Sequence, residues 1–189
     1  FFFQAEDGIR DHCVTGVQTV CSSDLLLDEA ADLGAASLMI LGGGEPMLSS
    51  ATLPLMERAK ARGLHGFLTT NGTRFPAGSL ERIAHIGWDE VHFSIDGADA
   101  ATHDALRGQP GAFRKVVTNA CRLRRNGGRV AVHTVLTRRN FRQLRELLRL
   151  AAAIGAFRLD FDALVAYRPE QQSLALQPEE AAILPRSEE

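Results

Sequence analysis

The feature that most limits what this chain can fold into is a repeated grammar. A short apolar run stops on glycines and polar residues, and an amphipathic stretch of helical length follows. Residues 38–46 read LMILGGGEP, and the same order returns in GFLTTNGT (66–73) and VHFSIDG (91–97). Runs this short and this apolar have the composition of strands buried in a parallel sheet. In α/β barrels and open α/β sheets, the loops at strand C-termini build the ligand site. Three polar strand ends in succession therefore predict one composite pocket.

The pattern extends into five strand–helix repeats preceded by the end of another helix. Strands are expected at 37–41, 65–69, 90–94, 129–137 and 158–163, and helices at 26–33, 50–62, 78–86, 113–125 and 141–154. Asn126-Gly127-Gly128 and Gly155 supply helix stops where the pattern needs them. In the last helix Phe141, Leu144, Leu147, Leu148, Ala151 and Ile154 share one face, with Arg138, Arg142, Arg145 and Arg149 on the other. Strands alternating with helices imply a parallel sheet with right-handed crossovers.

The two ends stand outside this grammar. FFFQAEDGIRD, VTGVQT and CSSDL, all within residues 1–25, show no period of 2 or 3.6 and are what sequencing-adapter DNA encodes when translated. Residues 186–189 (RSEE) match the same adapter read from the other strand. A signal peptide would need a basic start, a longer apolar core and a small-residue cleavage site, and residues 1–25 have none of these. Residues 1–25 are accordingly expected to be a disordered artefact. The core is expected over 26–168 and a truncated C-terminal extension over 169–189. The whole chain has a formal charge of −2; its two ends hold two basic and six acidic side chains, so the stretch between them lies near +2. Neither value selects a charged partner. No apolar run approaches membrane-spanning length. With Cys13 and Cys21 in the suspect segment, only Cys121 remains, which implies no disulfide framework and fits a reducing cytoplasm.

Taken together, the motifs resemble the radical S-adenosylmethionine (radical SAM) superfamily, and within it the peptide- and protein-maturing, SPASM-like subgroup. The likeness runs from about Leu26 to Tyr167. It implies a partial (β/α)6 TIM-like barrel, here truncated, with strands 2 to 6 present and the first strand and its cluster loop missing. Gly43-Gly44-Glu45-Pro46 is similar to the GGEP segment that receives the α-amino group of S-adenosylmethionine. Glycines there let backbone groups approach a ligand that a Cβ would obstruct. Thr70-Asn71-Gly72 is similar to the family's TNG, with Asn71 offering a donor and an acceptor at the rim. Ser94 and Asp96 of the SIDG segment are two residues apart, and the resemblance implies that they grip the methionine or ribose part. HDALRG (103–108) resembles the H-D-x-x-R segment of the subgroup, and Arg107 or Lys115 is implied to neutralise the methionine carboxylate. His103 is read as a cap or loop hydrogen-bond partner rather than a base. In VAVHTVLTRRN (130–140) at most one of His133 and Thr134 can face the barrel interior. Val165 is implied to pack on the adenine.

One family feature is absent. Members hold a [4Fe-4S] cluster through CxxxCxxC, three thiolates leaving one iron open to the cofactor. This chain has no such motif, since Cys13 and Cys21 have seven residues between them and Cys121 lies far along the chain. The reading is a fragment of a radical SAM enzyme, inactive as written. Its parent would use S-adenosylmethionine and a [4Fe-4S] cluster to abstract hydrogen from a peptide, protein or cofactor precursor. Its electron donor would be a flavodoxin or ferredoxin, and neither membrane nor nucleic acid is expected as a partner. Nine arginines between Arg122 and Arg149 are read as solvated helix faces. The alternatives are a cluster-free SAM-binding barrel or a phosphate-binding (β/α) barrel enzyme using the glycines as an anion site. No catalytic residue and no metal ligand is assigned.

Overall fold

A computed structural model describes residues 2–6, 20–166 and 169–181 of the chain. Its strands are β1 (Phe2–Glu6), β2 (Ser37–Gly43), β3 (His65–Thr70), β4 (Glu90–Ser94), β5 (Val130–Leu136) and β6 (Arg158–Ala163). The helices are α1 (Val20–Asp32), α2 (Thr52–Ala61), α3 (Ser79–His85), α4 (Ala100–Arg107), α5 (Ala112–Arg125), α6 (Leu144–Ile154), α7 (Pro169–Gln172) and α8 (Pro178–Ala181). The six strands form one sheet in chain order, and every neighbouring pair is parallel. A singly wound parallel sheet of this order matches the partial (β/α)6 barrel that the family resemblance implies.

The core lies between one face of the sheet and the helices. Leu38, Ile40, Leu68, Val91, Phe93, Val130 and Val132 meet Met56, Ile83, Val116, Leu123 and Leu147 there. Strand side chains alternate, so the residues between them line the other, inner face. That face carries Glu90, His92 and Ser94 on β4, His133 on β5 and Asp160 and Asp162 on β6, with Ser94, His133 and Asp160 in one register row. A buried outer layer thus holds the fold while the inner wall keeps its chemistry.

All five expected strands are present, and Phe2–Glu6 adds a sixth at the sheet edge by pairing with Met39–Gly43. Val20–Leu25 are helical, as the start of α1. An open parallel edge presents a row of backbone N–H and C=O groups, and the sixth strand pairs with them. Cys13 and residues 186–189 lie outside the described residues, as does Tyr167. Helix α4 is not among the helices expected from sequence. Asp99 caps it by accepting the Thr102 N–H at 2.8 Å, and Gly108 ends it in a left-handed conformation.

The arginine-rich stretch is spent locally. Arg122 pairs with Glu81, Arg138 with Glu180, and Arg129 stacks on Phe157 while donating to the Asp89 carbonyl. Arg124 donates to the Gly155 carbonyl, joining the C-terminal ends of α5 and α6. Among the described residues, no helix is long and apolar enough to cross a membrane.

Candidate functional site

At the C-terminal ends of β2, β3 and β4 lies a cavity of about 410 Å³. The β2 end contributes Gly44, Glu45 and Leu48, and the β3 end Thr69, Thr70, Asn71, Thr73 and Arg74. Ser94 comes from β4, and Arg107 and Gln109 from the end of α4 and the turn after it. The composite pocket predicted from three polar strand ends is there, at a size ordinary for a small-molecule site.

Glu45 organises the β2–β3 side. Its carboxylate is buried, yet it accepts three hydrogen bonds: from the Thr70 hydroxyl at 2.6 Å, the Asn71 N–H at 2.7 Å and the Met47 N–H at 3.1 Å. It thereby clamps two strand ends together. Asn71 folds into an Asx turn, its side-chain oxygen accepting from the Thr73 N–H and hydroxyl at 2.9 and 2.8 Å. That leaves its Nδ2 group for the cavity. Gly72 follows at φ +71°, and a Cβ there would lie 2.6 Å from Val116 and 2.7 Å from Phe93. The Asn-Gly pair is both a turn and a packing requirement.

The β4 side is built by the H-D-x-x-R segment. His103 is buried, and its Nδ1 accepts the Asp96 N–H at 3.1 Å. Asp104 accepts from the Gly111 and Phe113 N–H groups at 2.6 and 2.8 Å, capping α5. These bonds, led by that from Phe113, hold its carboxyl below the ordinary carboxylate range. Arg107 donates through Nε to the Asp96 carboxylate at 2.8 Å. The other Asp96 oxygen accepts the Val135 N–H at 3.0 Å, and its backbone carbonyl accepts from Asn140 at 2.7 Å. Gly97 brings α4 close: a Cβ on it would stand 2.5 Å from the His103 backbone nitrogen. Each polar residue of the motif thus has a partner, and the sum of them aims Arg107 at the cavity.

His103 also makes the fold pH-sensitive. Burial pushes its imidazole below the ordinary value of 6.5, and the neighbouring Arg107 charge acts in the same direction, against Asp96 and Asp104. Between that lowered value and about pH 6.5 the unfolded chain binds the extra proton and the folded chain does not. The stabilisation is complete above about pH 6.5 and is lost as pH falls through the folded-state value. Denaturant titrations between pH 5 and 7.5 are expected to show stability rising with pH, with a shallower rise in His103→Gln. Equal slopes in the two proteins would refute the assignment.

The residues singled out from sequence divide on placement. Gly44, Glu45, Asn71, Ser94 and Arg107 line the cavity, while Gly43 ends β2 beside them and Pro46 opens the short 3-10 turn that follows. Asp96 stands behind Arg107 rather than in the lining. Lys115 is exposed on α5 with Arg114 and Thr118, away from the cavity. Val165 is exposed beyond β6 and also outside the lining. Leu48, Thr69, Thr70, Thr73, Arg74 and Gln109 in the lining, and Asn140 behind Asp96, were not singled out from sequence. Only Thr70 had a signal there, as the hydroxyl next to Asn71 at a strand end. Among the described residues, no group of His, Cys, Asp and Glu side chains is arranged to hold a metal ion. Cys121 is half-buried on α5.

Comparison with known proteins bears on this geometry. Residues 24–151 match the model of the radical SAM superfamily. The AdoMet-dependent heme synthase of Methanosarcina barkeri is 32% identical over 141 residues, covering 75% of this chain and 40% of that protein. The crystal structure of Streptococcus suis SuiB bound to S-adenosylmethionine superposes with a TM-score of 0.71 at 19% identity, covering 85% of this chain and 37% of SuiB. SuiB bound to its precursor peptide SuiA gives 0.69 at 20% identity, over 76% of this chain and 32% of that one. At these identities the likeness to SuiB shows the fold alone. The chain spans 40% of the length of its heme synthase relative.

Proposed function

The chain belongs to the radical SAM superfamily, and from that membership we propose that the cavity at its strand ends binds S-adenosylmethionine for a radical enzyme of cofactor or peptide maturation. The observation that carries this reading is the convergence on one cavity of a glycine-rich strand end, Asn71, Ser94 and a guanidinium held in place by Asp96. These groups suit a zwitterionic amino acid joined to a nucleoside. Backbone carbonyls at Gly43 and Gly44 are assigned the α-amino group, with Pro46 fixing the exit of the chain. Arg107 is assigned the carboxylate, and Asp96 positions it. Ser94 and the Asn71 Nδ2 group take the polar atoms between. Glu45 acts through the backbone it clamps. Lys115 takes no part, and Val165 is assigned the adenine contact on family resemblance alone.

When reduced at a [4Fe-4S] cluster, the cofactor supplies a 5′-deoxyadenosyl radical for hydrogen abstraction. The described residues do not fit that cluster, since no group of His, Cys, Asp and Glu among them is arranged to hold a metal ion. The proposed electron donor of a cluster-bearing parent is a flavodoxin or ferredoxin. For the substrate class, a relative named as a heme synthase and the SuiB complex with a precursor peptide support a cofactor precursor or a peptide.

The test is calorimetry with S-adenosylhomocysteine, which needs no iron. Saturable binding is expected, and Arg107→Ala should weaken it about tenfold to a hundredfold, the equivalent of losing one charge-assisted hydrogen bond of about 1.5–3 kcal/mol. Lys115→Ala should leave it unchanged. The absence of saturable binding to the parent chain would overturn the proposal.

A further inference from the structure

We infer that His133, oriented by Asp162, is a proton acceptor facing the substrate on the inner wall of the barrel, next to the proposed cofactor cavity. The inference rests on that reading of the cavity for its location and on the inner wall for its chemistry.

Strand β5 decides which side chain faces inward. Thr134 is fully buried and donates its hydroxyl to the Ile95 carbonyl at 2.6 Å, so it belongs to the core side. His133 therefore lies on the inner face. In register it sits between Ser94 of β4 and Asp160 of β6. Neighbouring strands are only about 4.8 Å apart, and Ser94 lines the cavity. A ligand that reaches Ser94 is one strand away from the imidazole.

The ring is held by one nitrogen. Nε2 lies 2.8 Å from an Asp162 carboxylate oxygen. An ionised carboxylate only accepts, so Nε2 carries the hydrogen and Nδ1 keeps the lone pair. Among the described residues, no group is hydrogen-bonded to Nδ1, and about a quarter of the side chain is open to solvent. The other charged groups of this wall are engaged with one another. Arg158 of β6 pairs with Glu90 and Asp160, each at 2.9 Å. His92 of β4 lies 2.9 Å from Glu90 and 3.6 Å from Asp160. His133 stands opposite Ser94 in register, and its Nδ1 is left without a partner among the described residues.

A carboxylate–imidazole pair of this kind serves general acid–base chemistry. Nδ1 takes the proton of a substrate O–H or N–H group, the substrate keeps the bonding electron pair, and Asp162 remains ionised against the imidazolium. The substrate class is thus one that presents an ionisable O–H or N–H beside the carbon facing the cofactor. A pair that merely tied β6 to β5 would be indifferent to what occupies the cavity, and this difference gives the test.

Ring NMR of the full chain labelled with 15N-histidine should show His133 as the Nε2–H tautomer, and Asp162→Asn should convert it to a mixture of both neutral tautomers. Asp162 is largely exposed, so the variant keeps its fold. S-Adenosylhomocysteine at about ten times its Kd leaves roughly a tenth of the sites open, so carbethoxylation of His133 by diethyl pyrocarbonate should slow about tenfold. The exposed His85 on α3 should react at an unchanged rate. An Nδ1–H tautomer, or a His133 that reacts equally with and without bound ligand, would overturn the inference. Should calorimetry show no ligand binding, the cofactor reading fails by itself, and the tautomer alone decides for or against the dyad.

Discussion

Reconstituted anaerobically with iron and sulfide, then given S-adenosylmethionine and dithionite, this chain is expected to yield no 5′-deoxyadenosine. A [4Fe-4S] cluster that leaves one iron open needs three thiolates presented together. The chain has three cysteines, and no two of them have CxxxCxxC spacing. Cys121 sits on α5, in the helical layer, while the cofactor cavity lies at the strand ends. The deficit should be reversible by replacing residues 1–25 with a first strand and CxxxCxxC loop from a superfamily member that carries the motif. Backbone register makes this exchange practical: β1 pairs with β2 from Phe2 opposite Met39 to Glu6 opposite Gly43, so an incoming strand ends beside the glycines of the cavity. The chimera should gain the brown absorbance of a cluster and form 5′-deoxyadenosine where the parent forms none. Product from the unmodified chain would refute the inactive reading. A cluster-loaded chimera that still makes none would refute the cofactor cavity itself.

What could be read from sequence follows from how parallel sheets are built. Strands with helical crossovers between them lie side by side in order, so GGGEP, TNG and SIDG had to end near one another once they were recognised as strand ends. The neighbourhood was legible for that reason. The direction of each side chain within it was less so. Lys115 could have been set aside from helix geometry: Val116, Ala120 and Leu123 form the buried face of α5, and the residue just before Val116 points about 100° away from it. Glu45 read as a ligand group, yet its carboxylate is taken up by three protein donors, one from its own loop and two from the neighbouring strand end, and that cross-strand pairing is encoded by no spacing rule. Likewise His103, Asp104 and Arg107 were recognised as a motif. Their partners Asp96, Gly111 and Phe113 come from other segments, and only the folded chain brings them together. Strand β1 was missed because edge pairing is made through the backbone and leaves little mark on side-chain pattern.

The Glu45 clamp carries the second large expectation. Replacing it with alanine strands the Thr70 hydroxyl and the Asn71 and Met47 N–H groups, all of which now donate to one carboxylate. Unmade hydrogen bonds at buried groups cost about 1–3 kcal/mol each, and the polar cavity alongside admits water to offset part of that. A net loss of about 3 kcal/mol is expected for Glu45→Ala by chemical denaturation. Glu45→Gln keeps one acceptor oxygen but turns an amide hydrogen toward a donor, and about half that loss should follow. Because Asn71 and the β2 loop are then no longer fixed relative to each other, S-adenosylhomocysteine binding should fall in both variants, in the same order as stability. A carboxylate whose only task was to grip the cofactor's amino group would give a different pattern. Binding would be lost while the denaturation midpoint of the ligand-free protein stayed where it was. The two measurements on the same pair of variants therefore separate a clamp from a ligand contact.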